Sequence, residues 1–267
     1  MIIQLASLKG KRKSNEDAHI IFNNLDNINK SYSNTIVCGV FDGHGGKKVS
    51  KYLKSTYYKY FIGKYIEKEL KDTIKTKKYF KKIHDHIQNK LLEQYKNMSY
   101  TIGSTSLVAV FYKHGNEIKY YISNVGDCRA VICNKQNQVK QLTIDHKPNS
   151  KTEKQRIEKL GGKIYFDGYD WRIKDLSVSR AFGDIDSQPY VTHMPDLYNY
   201  KLNSKDKFII MACDGLWDVF NNQQAVKFVL KNMTKKNMEN NTISKLLAKE
   251  AIKKGSTDNI SVLIIFF

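Results

Sequence analysis

The sequence predicts an α+β domain in which strands and helices form separate layers. Three observations carry that prediction. Thr35 to Phe41 (TIVCGVF), Phe208 to Cys213 (FIIMAC) and Ser261 to Phe267 (SVLIIFF) are continuous apolar runs of strand length, the pattern of strands buried on both faces. Three further strand-like runs, Ser104–Tyr112, Ile118–Asn124 and Arg129–Asn134, follow one another directly. Helical spacing is confined to blocks of its own, and runs of strands with helices grouped beside them are the mark of a layered α+β fold.

Taken in order, the first 43 residues read as two strands joined by a polar, asparagine-rich loop over residues 23–34. Lys47 to about Lys71 and Lys77 to Lys96 read as amphipathic helices with basic outer faces; in the second, Phe80, Ile83, Ile87 and Leu91 recur on one side. After the three central strands, Thr152–Leu160 reads as a short helix closed by the glycine stop Gly161-Gly162. Helices over Gln223–Lys231 and Thr242–Lys253 then lead into the last strand. With 267 residues, only 3 prolines and no Gly/Ser-rich or repeated stretch to mark a linker, residues 1–267 are expected to form one domain with a substantial core.

Four short signatures hang an aspartate on such a run. They are Phe41-Asp42-Gly43-His44-Gly45-Gly46, Asn124-Val125-Gly126-Asp127, Ala212-Cys213-Asp214-Gly215-Leu216-Trp217-Asp218 and Gly255-Ser256-Thr257-Asp258-Asn259; an acidic pair, Glu16-Asp17, follows Arg12 near the start. The glycine after Asp42 and after Asp214 permits a sharp turn and close backbone approach. Asp258 stands instead at the beginning of its strand, which an antiparallel neighbour would bring beside that neighbour's end. Asp42, Asp214 and Asp258 are therefore expected on one edge of one sheet. A lone Asp-Gly is ordinarily a turn, and Glu16-Asp17 in isolation is a solvated acidic turn; the coincidence of several at strand ends is what matters. Two carboxylates about 4 Å apart repel by about 4 kcal/mol at an effective dielectric of 20, so such a cluster needs protons or cations. Oxygen ligands of this kind suit a hard divalent ion, and the chemistry they point to is metal-assisted hydrolysis.

The motifs also form an ordered set from Gly10 to Phe267: RKSNEDAH (Arg12–His19), VFDGHGG (Val40–Gly46), Gly103-Ser104-Thr105, NVGDCR (Asn124–Arg129), DHKP (Asp145–Pro148), EKQRIEKLGG (Glu153–Gly162), LSVSRAFGD (Leu176–Asp184), Cys213–Asp218 and STDNIS (Ser256–Ser261). On these residues the chain resembles the catalytic domain of the metal-dependent type 2C serine/threonine protein phosphatases. The resemblance implies two packed, mostly antiparallel β-sheets flanked by pairs of α-helices, a β-sandwich with a metal groove at one end. It implies that Asp42 bridges two Mn2+ or Mg2+ ions, that Asp214 and Asp258 complete the shell of the first, and that the Gly43 carbonyl touches the second. Glu16 and Asp17 would act mostly through metal-bound waters. Asp127 and Asp218 match positions that hold a third, weaker ion in some members. Arg12 would grip phosphate oxygens with its planar fork, and His44 would protonate the leaving seryl or threonyl oxygen. A hydroxide bridging the two ions would attack phosphorus directly; the sequence carries no Cys-x5-Arg loop for a covalent route. Residues 150–176 match the flap beside the active site, and there KIYFDGYDWRIKD (Lys163–Asp175) departs most from the family. Arg180 and Asp184, in the next motif, read as structural support for the groove.

The formal net charge is +19, and between Lys47 and Tyr100 there are 15 lysines against 5 acidic residues. A composition biased toward Lys, Asn, Ile and Tyr accounts for this as solvated surface; attraction of an acidic partner or polyanion to the helices at 47–100 is the competing account. No window reaches the ~18 uninterrupted apolar residues of a membrane span. The start lacks a signal-peptide profile and a second-position glycine, and the four cysteines form no Cys-x-x-Cys pair. An intracellular monomer, cytoplasmic with the nucleus left open, acting on phosphoproteins is the expectation. A non-catalytic relative would have lost ligands that all remain here. A nucleic-acid-binding module would show a base-reading motif that this chain lacks.

Overall fold

A computed structural model describes residues 1–25, 34–63, 70–95, 101–233 and 242–267. One five-stranded sheet runs β1 (Ile2–Leu8), β15 (Ile260–Phe266), β14 (Asp206–Ala212), β8 (Arg129–Asn134), β9 (Val139–Gln141). A second runs β13 (Asp196–Lys201), β7 (Glu117–Val125), β6 (Ser106–His114), β3 (Thr35–Phe41), β2 (Ala18–Asn23). Every pairing in both is antiparallel. A small sheet orders β12 (Phe182–Gly183), β5 (Gly103–Ser104) and β4 (Gly43–His44), and β10 (Ile164–Phe166) pairs with β11 (Trp171–Ile173) as a hairpin.

The continuous apolar runs are explained by burial on both faces. Along β3, Ile36, Cys38 and Val40 face the space between the two sheets with Ile209, Met211, Leu263 and Ile265. The alternate residues Val37 and Phe41 face outward onto Leu53, Tyr57, Phe61 and Phe80 of the segment 48–95. Along β14 and β15, Phe208, Ile210, Val262 and Ile264 likewise pack under the helices Asn222–Met233 and Ile243–Lys253. The layers are therefore helices, sheet, sheet, helices, with the period-two alternation of each strand dividing its side chains between adjacent layers. Truncating one of these large fully buried side chains, such as Phe41, costs roughly 3–5 kcal/mol.

Several boundaries differ from expectation for local reasons. The first 43 residues hold three strands, because residues 9–17 turn the chain between β1 and β2. The first helix spans only Lys48–Thr56 and passes into a 3-10 turn at Tyr57–Phe61, where Tyr57 and Phe61 are both drawn fully into the core; its expected continuation reaches residues 64–69, outside those described. The second begins early, at Thr73, because Asp72 Oδ1 accepts from the N–H groups of Ile74 (2.8 Å) and Lys75 (3.1 Å) and so caps it. Thr242 caps the last helix in the same way, through Lys245 N–H at 3.3 Å. No described helix is long and apolar enough to cross a membrane.

Candidate active site

One end of the sandwich collects the acidic residues. β2 begins just after Asp17, β3 ends just before Asp42, β7 ends two residues before Asp127, β14 ends two before Asp214, and β15 begins two after Asp258. The antiparallel registers Ala18↔Phe41 and Ala212↔Val262 put these points together. The expectation of one edge of one sheet is corrected: Asp42 leaves the sheet of β3, whereas Asp214 and Asp258 belong to the sheet of β14 and β15. Since the strands of β3 and β14 face each other across the shared core, the carboxylates meet between the sheets.

The closest contacts fall into two groups. Side-chain ligand atoms of Asp42, Asp127 and Asp214 lie within 4.8 Å of one another, as do those of Asp17, Asp42 and Cys213. Asp42 belongs to both. Its position is clamped by Thr105, whose hydroxyl accepts from Asp42 N–H (3.1 Å) and whose own N–H donates to the Asp42 carbonyl (2.8 Å). Gly215 allows the Asp214 turn to pack tightly, since a Cβ there would overlap the Asn259 carbonyl. Burial, reinforced by Asp214 and Asp17, pushes the Asp42 carboxyl well above the usual carboxylate range; burial with Asp127 and Asp218 does the same to Asp214. Burial raises Asp17 to about 6. Asp17 Oδ1 and Asp214 Oδ1 are buried with no hydrogen-bond donor among the described residues. Unpartnered buried carboxylate oxygens converging on shared space are what a hard divalent cation would satisfy, and the donor set fits Mn2+ or Mg2+. The Cys213 thiol is held protonated by burial and donates weakly to Asp17 Oδ2 (3.5 Å), so it is a poor ligand for such an ion.

The remaining expected residues surround this centre. Asp258 lies outside both tight groups; its carboxylate accepts from Arg12 Nη2 at 2.6 Å and from Asn259 N–H at 2.6 Å. Glu16 stands on the wall of the groove, bonded through Oε2 to Gly46 N–H (3.0 Å) and through Oε1 to Ser14 (3.1 Å). Asp218 follows Asp214 by one helical turn, its N–H on the Asp214 carbonyl at 2.8 Å. His44 enters from β4 and meets Asp184 Oδ2 at 2.7 Å through Nε2. Together Arg12, Glu16, Asp42, Gly43, His44, Asp127, Asp214 and Asp258 line one cavity of about 420 Å3. Trp217 is core, its indole N–H on the Ala212 carbonyl at 3.0 Å.

The sequence did not single out Lys147, Arg172 or Asp175, and it assigned Asp184 only a supporting role. Lys147 Nζ lies 2.5 Å from Asp127 Oδ2; burial opposes its charge, but Asp127 and Asp214 hold its pKa above the ordinary lysine value. It sits in the DHKP motif, so its residue type was visible, though not its contact. Asp184 touches His44, and Arg172 of the β10–β11 hairpin reaches the cavity with Asp175. Around the hairpin Tyr165, Phe166, Tyr169 and Trp171 are exposed. Arg180, by contrast, is structural as expected: it and Arg156 donate to the buried Glu153 at 2.6 and 2.8 Å, and Arg180 also meets Asp196 at 2.9 Å.

The profile of the protein phosphatase 2C family matches residues 3–260. A PP2C-like domain-containing protein of Acanthamoeba polyphaga mimivirus is 49% identical over 55% of this chain and 93% of its own length. Probable protein phosphatase 2C 71 of Arabidopsis thaliana is 36% identical over 98% of this chain; the chain spans 54% of that relative. Among solved structures, a serine-threonine phosphatase 2C from Toxoplasma gondii superposes with a TM-score of 0.78 at 23% identity, covering 99% of this chain and 94% of that one. A C. elegans sex-determining protein gives 0.83 at 24% identity, over 99% and 64%. Those two likenesses establish the layered fold; the profile over residues 3–260 and the sequence relatives establish descent. The chain belongs to the protein phosphatase 2C family of serine/threonine phosphatases.

Proposed function

We propose that this chain is a divalent-metal-dependent phosphatase that hydrolyses phosphoserine and phosphothreonine in proteins. The observation that carries the proposal is the sharing of Asp42 between two ligand groups whose outer oxygens, on Asp17 and Asp214, are buried and lack any donor among the described residues. Asp42 would be common to two Mn2+ or Mg2+ ions, with Asp214 and Asp258 on one side and the Gly43 carbonyl on the other. Asp17 sits near enough to Asp42 to act directly, whereas Glu16 on the groove wall suits contact through water. Asp127 and Asp218, beside Lys147, form the place for a weaker third ion. When bound, the ions supply an activated water as nucleophile and neutralise phosphoryl charge.

The protein's own groups supply the rest. Arg12 is anchored to Asp258 through one nitrogen, Nη2, and a guanidinium carries five N–H donors, so donors remain for phosphate oxygens at the cavity mouth. His44 lines the same cavity and serves as the acid for the leaving alkoxide, a poor leaving group unless protonated. Arg172 and Asp175 line the cavity, and the exposed aromatics of the same hairpin would offer apolar contact to a polypeptide substrate. Phosphate release from a phosphothreonine peptide, measured after chelation and again after adding Mn2+ or Mg2+, tests this. Activity should vanish and return; full activity in excess chelator, with metal removal verified, would overturn the proposal.

A further inference from the structure

We infer that Asp184 is the positioning residue for His44: by accepting from Nε2 it leaves Nδ1 to deliver the proton to the leaving oxygen. This deepens the phosphatase reading and rests on it. The Asp184 side chain is 1% exposed and its Oδ2 stands 2.7 Å from His44 Nε2. Three short strands bring the two together, with β5 between β4 and β12. The central position opposite His44 is Gly103, and a Cβ there would overlap both Asp184 Oδ2 and His44 Nε2. Glycine is thus what lets the two side chains close over the middle strand. Asp184 itself adopts the left-handed conformation, φ 45° and ψ 48°, which residues other than glycine populate sparsely. Something must hold it there. Gln88, buried in the helix Thr73–Tyr95, donates to the Gly183 carbonyl and accepts from Gly183 N–H, both at 3.0 Å. Asp184 N–H is bonded in turn to the Ile102 carbonyl.

The chemistry follows from the ring having two unlike nitrogens. A carboxylate on one nitrogen decides which carries the permanent proton and orients the ring. As the P–O bond breaks, its electron pair stays on the seryl or threonyl oxygen, which takes the proton from Nδ1. The imidazole is left neutral, with its remaining proton on Nε2 against Asp184, and regains the other from solvent.

Wild type, His44→Gln, Asp184→Asn and the double variant would be compared on a phosphothreonine peptide and on an aryl phosphate whose leaving group needs no proton. Asp184→Asn should lower kcat on the peptide by about 10²-fold, the low end for general acid catalysis, and on the aryl phosphate by no more than about threefold. The double variant should be no slower than His44→Gln, because Asp184 acts through the histidine. Equal losses on both substrates, or losses that multiply in the double variant, overturn the inference. Nitrogen NMR of the Mg2+-loaded wild type needs neither turnover nor a variant that folds. His44 found with its proton on Nε2 supports the inference, and a proton on Nδ1 in the neutral ring overturns it. A wild type inactive on both substrates would refute the phosphatase reading instead, leaving the NMR result to decide Asp184 by itself.

Discussion

Raising the pH of the metal-free protein should destabilise it, and Asp17 sets the first part of the slope. Burial raises this carboxyl from 3.8 to about 6, against the opposing hydrogen bonds from Ser261 and Cys213. Its folded form therefore binds a proton more tightly than its unfolded form. The resulting penalty is absent below the unfolded value, grows as pH rises from about 4 to about 6, and is complete above that. A rise of that size corresponds to about 3 kcal/mol at 1.36 kcal/mol per pK unit. Asp42 and Asp214, raised further, extend the decline to higher pH. Glu153 and Asp196, both held at about 2, oppose it only at lower pH. A bound cation reverses the penalty: at ~100 times its Kd, linkage contributes about 2.7 kcal/mol, a Tm rise of roughly 5–10 °C for a chain of this size. The assay is urea unfolding of chelated wild type and Asp17→Asn between about pH 4.5 and about pH 7.5, repeated with saturating Mn2+. Wild type should lose on the order of 2–3 kcal/mol more than the variant across that range. Parallel curves for the two proteins, or a midpoint unmoved by Mn2+, would refute the acidic-cluster argument.

Asp42→Ala and Asp214→Ala should each lose at least ~10³-fold in turnover, because each removes charge aimed at the reacting group; folded variants that keep wild-type turnover would remove those residues from the site. In Glu153→Ala, Arg180 and Arg156 lose a shared buried carboxylate, a change expected to cost roughly 3–5 kcal/mol in urea unfolding; a cost below about 1 kcal/mol would show the network to be dispensable. Burial would raise Glu153, but Arg180 and then Arg156 hold it at about 2, so its contribution is present above about pH 4.5 and is lost as pH falls toward 2. A docking role for the basic helix predicts that replacing Lys71, Lys75, Lys77, Lys78, Lys81 and Lys82 by glutamate leaves aryl-phosphate turnover within about twofold, since screening confines charge effects to ~8 Å. The same change should weaken polyanion binding tenfold or more, and equal co-sedimentation at low salt would leave composition as the account of the charge.

The layered fold was legible because β3, β14 and β15 are apolar at nearly every position, which only burial on both faces explains. The aspartates were legible for the same reason, since each interrupts or borders such a run. What periodicity could not supply was pairing between distant segments. Strand ends placed Asp42 and Asp214 at one end of the molecule, but the sheet to which each belongs depends on the registers Val40↔Leu107 and Met211↔Leu263. The contacts of Lys147 and Asp184 were hidden differently. Each is made by a side chain whose own segment is a short connection without a repeating pattern, and each partner lies in another element. The helix start at Asp72 depended on a single side-chain oxygen, a signal one residue wide, whereas the start at Thr242 agrees with the expected boundary. The early end of the first helix depended on where Tyr57 and Phe61 find room in the core, which is a tertiary property.

Ion pairing divides the acidic groups into those with a counter-charge from the chain and those without one. Glu153 has Arg156 and Arg180, Asp145 has Arg129, Asp127 has Lys147, Asp258 has Arg12, and Asp196 has Arg180. Each of these charges is balanced from within the chain. Asp17, Asp42 and Asp214 take part in no salt bridge among the described residues, and they are the three carboxyls in the two ligand groups, besides Asp127, whose ionisation is resisted by burial. Scarcity of cations cannot be the reason in a protein with 45 lysines and arginines. A basic side chain placed among them would relieve their repulsion, which is several kcal/mol at these separations, yet Lys147, the lysine that reaches the group, is bonded to Asp127 rather than to any of these three. That choice makes sense if the balancing charge arrives from solution and must remain exchangeable with substrate contact. Asp17, Asp42 and Asp214, left without an ion-pair partner among the described residues, are thereby the carboxylates with the most to gain from a bound cation.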